Sequence, residues 1–136
     1  IKLKKEMDTL DVVIVAAEYG HGKRAGWLSD YTFAVKGDGE LKVIGKAYSG
    51  LTDDEIQILT KKLLEITIKD EGFRKIVRPE IVLEVAFDSI QRSNRYGEGF
   101  ALRFPRIKRI RWDKSVNEID SIERVKELYQ KHKYTS

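Results

Sequence analysis

Apolar residues fall into two rhythms along the chain. Residues 11–19 (DVVIVAAEY) are rich in Val, Ile and Ala and run into the Gly-rich GHGKRAG, the pattern of a buried strand opening into a loop. Residues 27–35 (WLSDYTFAV) predict a second strand, residues 36–40 (KGDGE) a turn with Asp-Gly chemistry, and residues 41–48 (LKVIGKAY) a third strand. Connections this short predict an antiparallel meander. The rhythm then changes. Thr52 and Glu55 (TDDE) form a capping-box signature, and Ile56, Leu59, Leu63 and Ile66 follow at helical spacing, which predicts a helix of about four turns.

Alternation returns at residues 81–90 (IVLEVAFDSI), with Ile81, Leu83, Val85 and Phe87 on one face and Val82 and Ala86 making the other partly apolar. Residues 92–99 (RSNRYGEG) read as a turn, and residues 100–112 as a fifth strand interrupted near Pro105, which lacks a ladder N–H. Residues 120–133 predict a terminal helix, with Asp120 and Glu123 as a second capping box and Ile122, Val125, Leu128 or Tyr129, and His132 on one stripe. That stripe has two candidate partners, this barrel and a neighbouring domain, and the second is favoured because a five-stranded barrel closes without it. The element order predicts a mainly β fold: a five-stranded OB-fold barrel with a helix between the third and fourth strands and a C-terminal helix. No internal repeat, low-complexity tract or interdomain linker interrupts it.

Composition narrows the chemistry. The 136 residues, 41% hydrophobic and 10% aromatic, suffice for one folded domain with its own core. The absence of cysteine excludes disulfides, thiolate zinc sites and cysteine nucleophiles. His21 and His132 have no partner at ligand spacing, so no metal site is expected in this domain. No apolar run reaches transmembrane length, and residues 1–6 lack the apolar core of a signal peptide, which predicts a soluble intracellular protein with no membrane partner. A 35% charged fraction with few amides resembles thermophile composition.

Charge is unevenly placed. Of 26 Lys and Arg and 22 Asp and Glu, six of the former and one of the latter lie in residues 101–114, leaving 20 basic against 21 acidic residues elsewhere. The excess of the +4 chain therefore sits in one short stretch, the pattern of a local polyanion contact. Within it, RFPRIKRIRWDK (residues 103–114) combines phosphate-binding guanidinium groups with Phe104 and Trp112 as planar faces for a sugar or base. The alternative is an edge strand whose charges prevent edge pairing.

Other candidates read as structural. GHGK (Gly20, Gly22, Lys23) lacks the spacer and the following Ser or Thr of a P-loop, since Arg24 comes next, and it reads as a strand connection. Glu84 and Asp88 read as solvated carboxylates or ion-pair partners of the basic strand rather than as an acid/base pair. Tyr19, Tyr31 and Tyr96 read as core and rim packing residues.

LRFPRIKRIRWDK (residues 102–114) resembles motif VI of ATP-dependent DNA ligases of the archaeal and eukaryotic replicative type, including the R-x-R-x-D-K element at Arg109, Arg111, Asp113 and Lys114. Residues 11–35 are similar to the segment that opens the ligase OB domain, and IKLKKE (residues 1–6) resembles motif V at the end of the nucleotidyltransferase domain. The resemblance implies a boundary, with residues 1–8 closing the nucleotidyltransferase domain and residues 9–136 forming the OB domain. It also implies a role in sealing nicks in duplex DNA with ATP and Mg2+, during replication, repair and recombination. The implied location is the cytoplasm, at the nucleoid of an archaeon.

Roles follow residue by residue from the resemblance. Lys2 and Lys4 match the motif V lysines that reach the α-phosphate of ATP. Arg109, Arg111 and Lys114 would orient the β- and γ-phosphates, with Asp113 holding a neighbouring cation. When the domain swings away to encircle DNA, Arg103 and Phe104 would enter the minor groove, with Arg106, Lys108, Lys23 and Arg24 on backbone phosphates. Implied partners are nicked duplex DNA, the ligase's own nucleotidyltransferase and DNA-binding domains, and, as a further candidate, a sliding clamp. The family's K-x-D-G-x-R, whose lysine takes the adenylate, is absent, so the chain by itself is expected to be inactive. Messenger RNA guanylyltransferases share R-x-R-x-D-K, but RFPR favours the ligases. A reading from another class is a stand-alone OB module that binds single-stranded nucleic acid without catalysis.

Overall fold

A computed structural model describes residues 9–20, 22, 26–37, 39–48, 50–93 and 99–135, with the side chains of 93 and 132–135 excepted. Among these residues, nine strands and two α-helices are ordered β1 (Thr9–Tyr19), β2 (Leu28–Lys36), β3 (Leu41–Ala47), α1 (Asp53–Glu65), β4 (Thr67–Asp70), β5 (Arg74–Val77), β6 (Val82–Ala86), β7 (Ser89–Ser93), β8 (Gly99–Arg103), β9 (Arg106–Arg111) and α2 (Ile122–Thr135), with a 3-10 turn at Val116–Glu118. The meander is present: β1 pairs antiparallel with β2, and β2 with β3.

The other edge of β1 is divided between two partners. Thr9 to Val13 pair with β6, and Ala16 to Glu18 pair with β5. The long strand β1 thus joins the meander to the second half of the chain, where β6 pairs with β9 and β7 with β8. With β3 packed beside β8, this is the OB-fold barrel, and α1 lies against β2 and β5. The helix begins as its sequence requires: Thr52 Oγ1 accepts from Glu55 N at 3.2 Å, and Glu55 accepts from Thr52 N at 3.0 Å. Thr60 Oγ1 docks it on the barrel by accepting from Leu28 N at 2.9 Å.

Four expectations change. The predicted fourth and fifth strands are each two strands, broken at Phe87–Asp88 and at Phe104–Pro105. The two breaks lie at one level, since Asp88 N donates to Arg103 O at 2.9 Å, and so the hairpin bends as a unit at a barrel corner. A hairpin that sequence reading left unassigned, β4–β5, extends the sheet through a turn in which Asp70 Oδ1 accepts from Gly72 N at 2.8 Å.

Asp120 does not cap α2. Ser121 Oγ accepts from Arg124 N at 3.4 Å, whereas the Asp120 carboxylate accepts from Asp11 N at 2.7 Å. Asp120 N donates to Asp11 O and Lys36 N to Asp120 O, both at 2.9 Å, so Asp120 pins the segment leading to α2 across β1 and β2.

Finally, the apolar face of α2 packs on the barrel itself. Ile122, Val125 and Leu128 are buried in the same core as Leu10, Phe33 and Leu83, and Tyr129 meets Phe100 edge-on at 5.3 Å. The outer sheet face has a second, smaller cluster, in which Val13, Ala34 and Val82 are covered by Ile119. Both faces of 81–86 are therefore buried, as its two apolar sets suggest.

Candidate phosphate and nucleic-acid interface

The basic stretch occupies the end of β8, the corner and all of β9. A strict alternation would place only every second residue outside, but the β6–β9 register slips between Glu84 and Val85. Glu84 opposes Arg109 and Val85 opposes Ile107, so Lys108 is the extra residue of a bulge. Ile107 points into the core, while Lys108 and Arg109 are consecutive and both exposed. The bulge thereby places Arg106, Lys108, Arg109 and Arg111 along the outer side of one six-residue strand.

The strand is held from behind by a glycine. A Cβ at Gly50 would lie 2.0 Å from the carbonyl oxygen of Ile107, and Gly50 has φ 110°. Only glycine allows the loop after β3 to lie this close to the β9 backbone.

At the corner, Phe104 adopts φ 52°, the one non-glycine residue with positive φ among those described. Its ring is 62% exposed, and the Arg103 guanidinium stands 5.2 Å from its centre. Arg106 fastens the corner, donating from Nη1 to Phe104 O at 2.9 Å and to Asp88 Oδ1 at 3.1 Å. Phe104 thus combines a backbone conformation that L side chains rarely adopt with little burial to offset it.

Beyond the bulge the cations are paired. Arg109 Nε donates to Glu84 Oε1 at 2.6 Å, and Arg111 Nη1 lies 3.6 Å from the same oxygen. Arg111 also grips Asp113 with two bonds, Nε to Oδ1 at 3.1 Å and Nη2 to Oδ2 at 3.0 Å. Lys114 Nζ meets Asp11 Oδ2 at 2.5 Å.

Titration follows the pairing. The hydrogen bond from Arg111 holds the Asp113 carboxyl at about 2, and Asp113 in turn raises Arg111. The Arg109 hydrogen bond lowers Glu84 against the opposing effect of its burial, and the bond to Asp11 raises Lys114. Trp112 is exposed and borders a cleft of about 470 Å³ with Lys62, Arg78 and Glu80.

Of the predicted site residues, the structure brings Arg109, Arg111 and Asp113 into one ion-pair network through Glu84, with the Lys114–Asp11 pair on the same face, and sets Arg103, Phe104 and Arg106 together at the corner, with Lys108 between the groups. Lys2, Lys4, Lys23 and Arg24 lie outside the described residues, as do His21 and Tyr96. Asp11 was not foreseen as part of the site. Its only sequence signal is an acid at the start of an apolar strand, and its distance from Lys114 in the chain hides the pairing.

Residues 24–114 match the family model described as the ATP dependent DNA ligase C terminal region. The chain belongs to that family. A probable DNA ligase of Koribacter versatilis is 58% identical over 130 residues, covering 96% of this chain and 23% of that protein. DNA ligase 1 of Korarchaeum cryptofilum is 54% identical over 129 residues, 93% of this chain and 24% of that protein. The chain thus spans about a quarter of these relatives.

Among solved structures, the ligase domain of LigD from M. tuberculosis superposes with a TM-score of 0.68 at 24% identity, over 85% of this chain and 39% of that one. A mycobacterial DNA ligase D complexed with ATP and MES superposes with a TM-score of 0.63 at 22% identity, over 85% of this chain and 38% of that one. These two likenesses are of fold, and they agree with the barrel described above.

Proposed function

We propose that this ligase domain serves two steps of nick sealing in duplex DNA with the two halves of its basic stretch. The observation that carries the reading is the β9 bulge, which sets Lys108 and Arg109 side by side on the outer face, where the paired cations that begin at Arg109 meet the exposed Phe104 corner. In the nucleotide step, ATP supplies the adenylyl group and pyrophosphate leaves. Arg109 and Lys114, with Arg111 behind them, form a cationic edge suited to the β- and γ-phosphates. Asp113 keeps Arg111 in place.

Residues 1–8 close the nucleotidyltransferase domain and residues 9–136 form the OB domain, with Lys2 and Lys4 on the α-phosphate. The Mg2+ of the reaction is held, in this reading, by the nucleotidyltransferase part.

In the DNA step, Arg103 and Phe104 enter the minor groove near the nick, while Arg106, Lys108, Lys23 and Arg24 contact phosphates. Contacts of this kind are indifferent to sequence, as a ligase requires. The test joins the domain to its nucleotidyltransferase domain and measures the steps separately. Arg109→Ala is expected to slow enzyme adenylation by about 100-fold or more while leaving the sealing of pre-adenylated nicks nearly intact. Phe104→Ala is expected to do the reverse. Equal losses in both steps for both variants would overturn the division. Tighter binding to single strands than to nicked duplex would favour a non-catalytic single-strand module instead.

A further inference from the structure

β1, β6 and β9 run side by side, and Asp11, Glu84 and Arg109 are direct partners across them. Leu10, Val12, Leu83 and Val85 point into the core, which turns Asp11 and Glu84 to the outer face. Two carboxylates opposite one another on neighbouring strands repel. Here each is matched by a cation from the end of the basic stretch: Lys114 on Asp11, and Arg109 with Arg111 on Glu84. The Glu84 side chain is only 17% exposed, while that of Arg109 is 64% exposed.

The pattern of occupied nitrogens separates the two arginines. Arg111 has Nε and Nη2 on Asp113 and Nη1 facing Glu84. Arg109 is held by Nε alone, and among the described residues nothing pairs with its Nη1–Nη2 edge. That end-on edge can bind two phosphate oxygens at once, as the Nε–Nη2 edge of Arg111 binds two oxygens of Asp113.

We propose that Glu84 is a positioning residue for the nucleotide step: it anchors Arg109 by Nε so that the terminal guanidinium edge is already aimed outward for phosphate, and it spaces Arg111 behind it. Arg111 is by the same geometry a strut between Glu84 and Asp113. The inference rests on the nucleotide role proposed for Arg109. A flexible exposed arginine must lose rotamer freedom to bind, and fixing it in advance removes that cost at the moment of reaction.

The experiment uses the ligase that carries this domain, with adenylation by ATP and sealing of pre-adenylated nicks measured for Glu84→Gln, Glu84→Asp, Arg109→Ala and the Glu84→Gln/Arg109→Ala double variant. Melting of each variant checks its folding. Glu84→Gln is expected to slow adenylation by about 10- to 100-fold, to leave sealing within about twofold, and to be partly rescued by Glu84→Asp, which keeps the charge. Because Glu84 acts through Arg109, the double variant is expected to be no slower than Arg109→Ala. Normal adenylation in Glu84→Gln, or additive losses in the double variant, would overturn the proposal while leaving the role of Arg109 standing. Normal adenylation in Arg109→Ala would overturn that role first.

Discussion

Two neighbouring parts of one basic stretch are built in opposite ways. At the corner, Arg103 and Phe104 face solvent and touch mainly each other, Phe104 has a strained backbone, and of the corner's two arginines only Arg106 is paired among the described residues, with Asp88. From Arg109 onward, every predicted site residue is tied to a carboxylate or to a guanidinium, and the carboxylates come from β1, β6 and the stretch itself. Similar charge density therefore serves two ends. Unpaired cations suit an extended polyanion whose position is set by many weak contacts. Paired, aimed cations suit a small ligand that must be placed to within a fraction of an ångström.

Both parts rest on one frame, and a change to that frame has the largest expected effect. Leu128→Ala removes a fully buried side chain of α2 from the main core and is expected to cost about 2–5 kcal/mol, read by denaturant or thermal unfolding. Any activity that survives should fall alike in both steps. A marginal change in stability would return α2 to the role of an outward docking helix.

A smaller effect sharpens the corner. Phe104→Gly relieves a positive φ at a site where little burial is lost, and it is expected to leave stability unchanged or raise it by up to about 1 kcal/mol while weakening binding to nicked duplex. Such a gain in stability with a loss in binding is what stored strain at a functional position predicts. If melting drops and binding holds, the aromatic is a packing residue.

Much of this was legible in the residues. Alternation and the Thr52 capping box located the meander and α1, because local periodicity and hydrogen bonding decide them. Pro105 marked the bend in the last hairpin, but its counterpart at Asp88 carries no such signal and is set by tertiary pairing with Arg103 and Arg106. The start of α2 lies one residue beyond the cap that its sequence suggests, since Asp120 and Ser121 are both good caps and the choice depends on the distant Asp11 amide. The motif residues themselves were visible as charge. Their partners were not: Glu84 lies 25 residues from Arg109 and Asp11 lies 103 from Lys114, distances over which only the strand register brings them together.

The contrast between paired and unpaired cations is tested most directly by the salt dependence of binding to nicked duplex DNA in the ligase carrying this domain, comparing Arg103→Ala with Arg109→Ala. Loss of a phosphate-facing cation reduces the slope of log affinity against log salt by about 1. The expected result is a reduction of this size for Arg103→Ala and an unchanged slope for Arg109→Ala, whose charge is already matched by Glu84. Equal reductions, or a reduction confined to Arg109→Ala, would contradict the account.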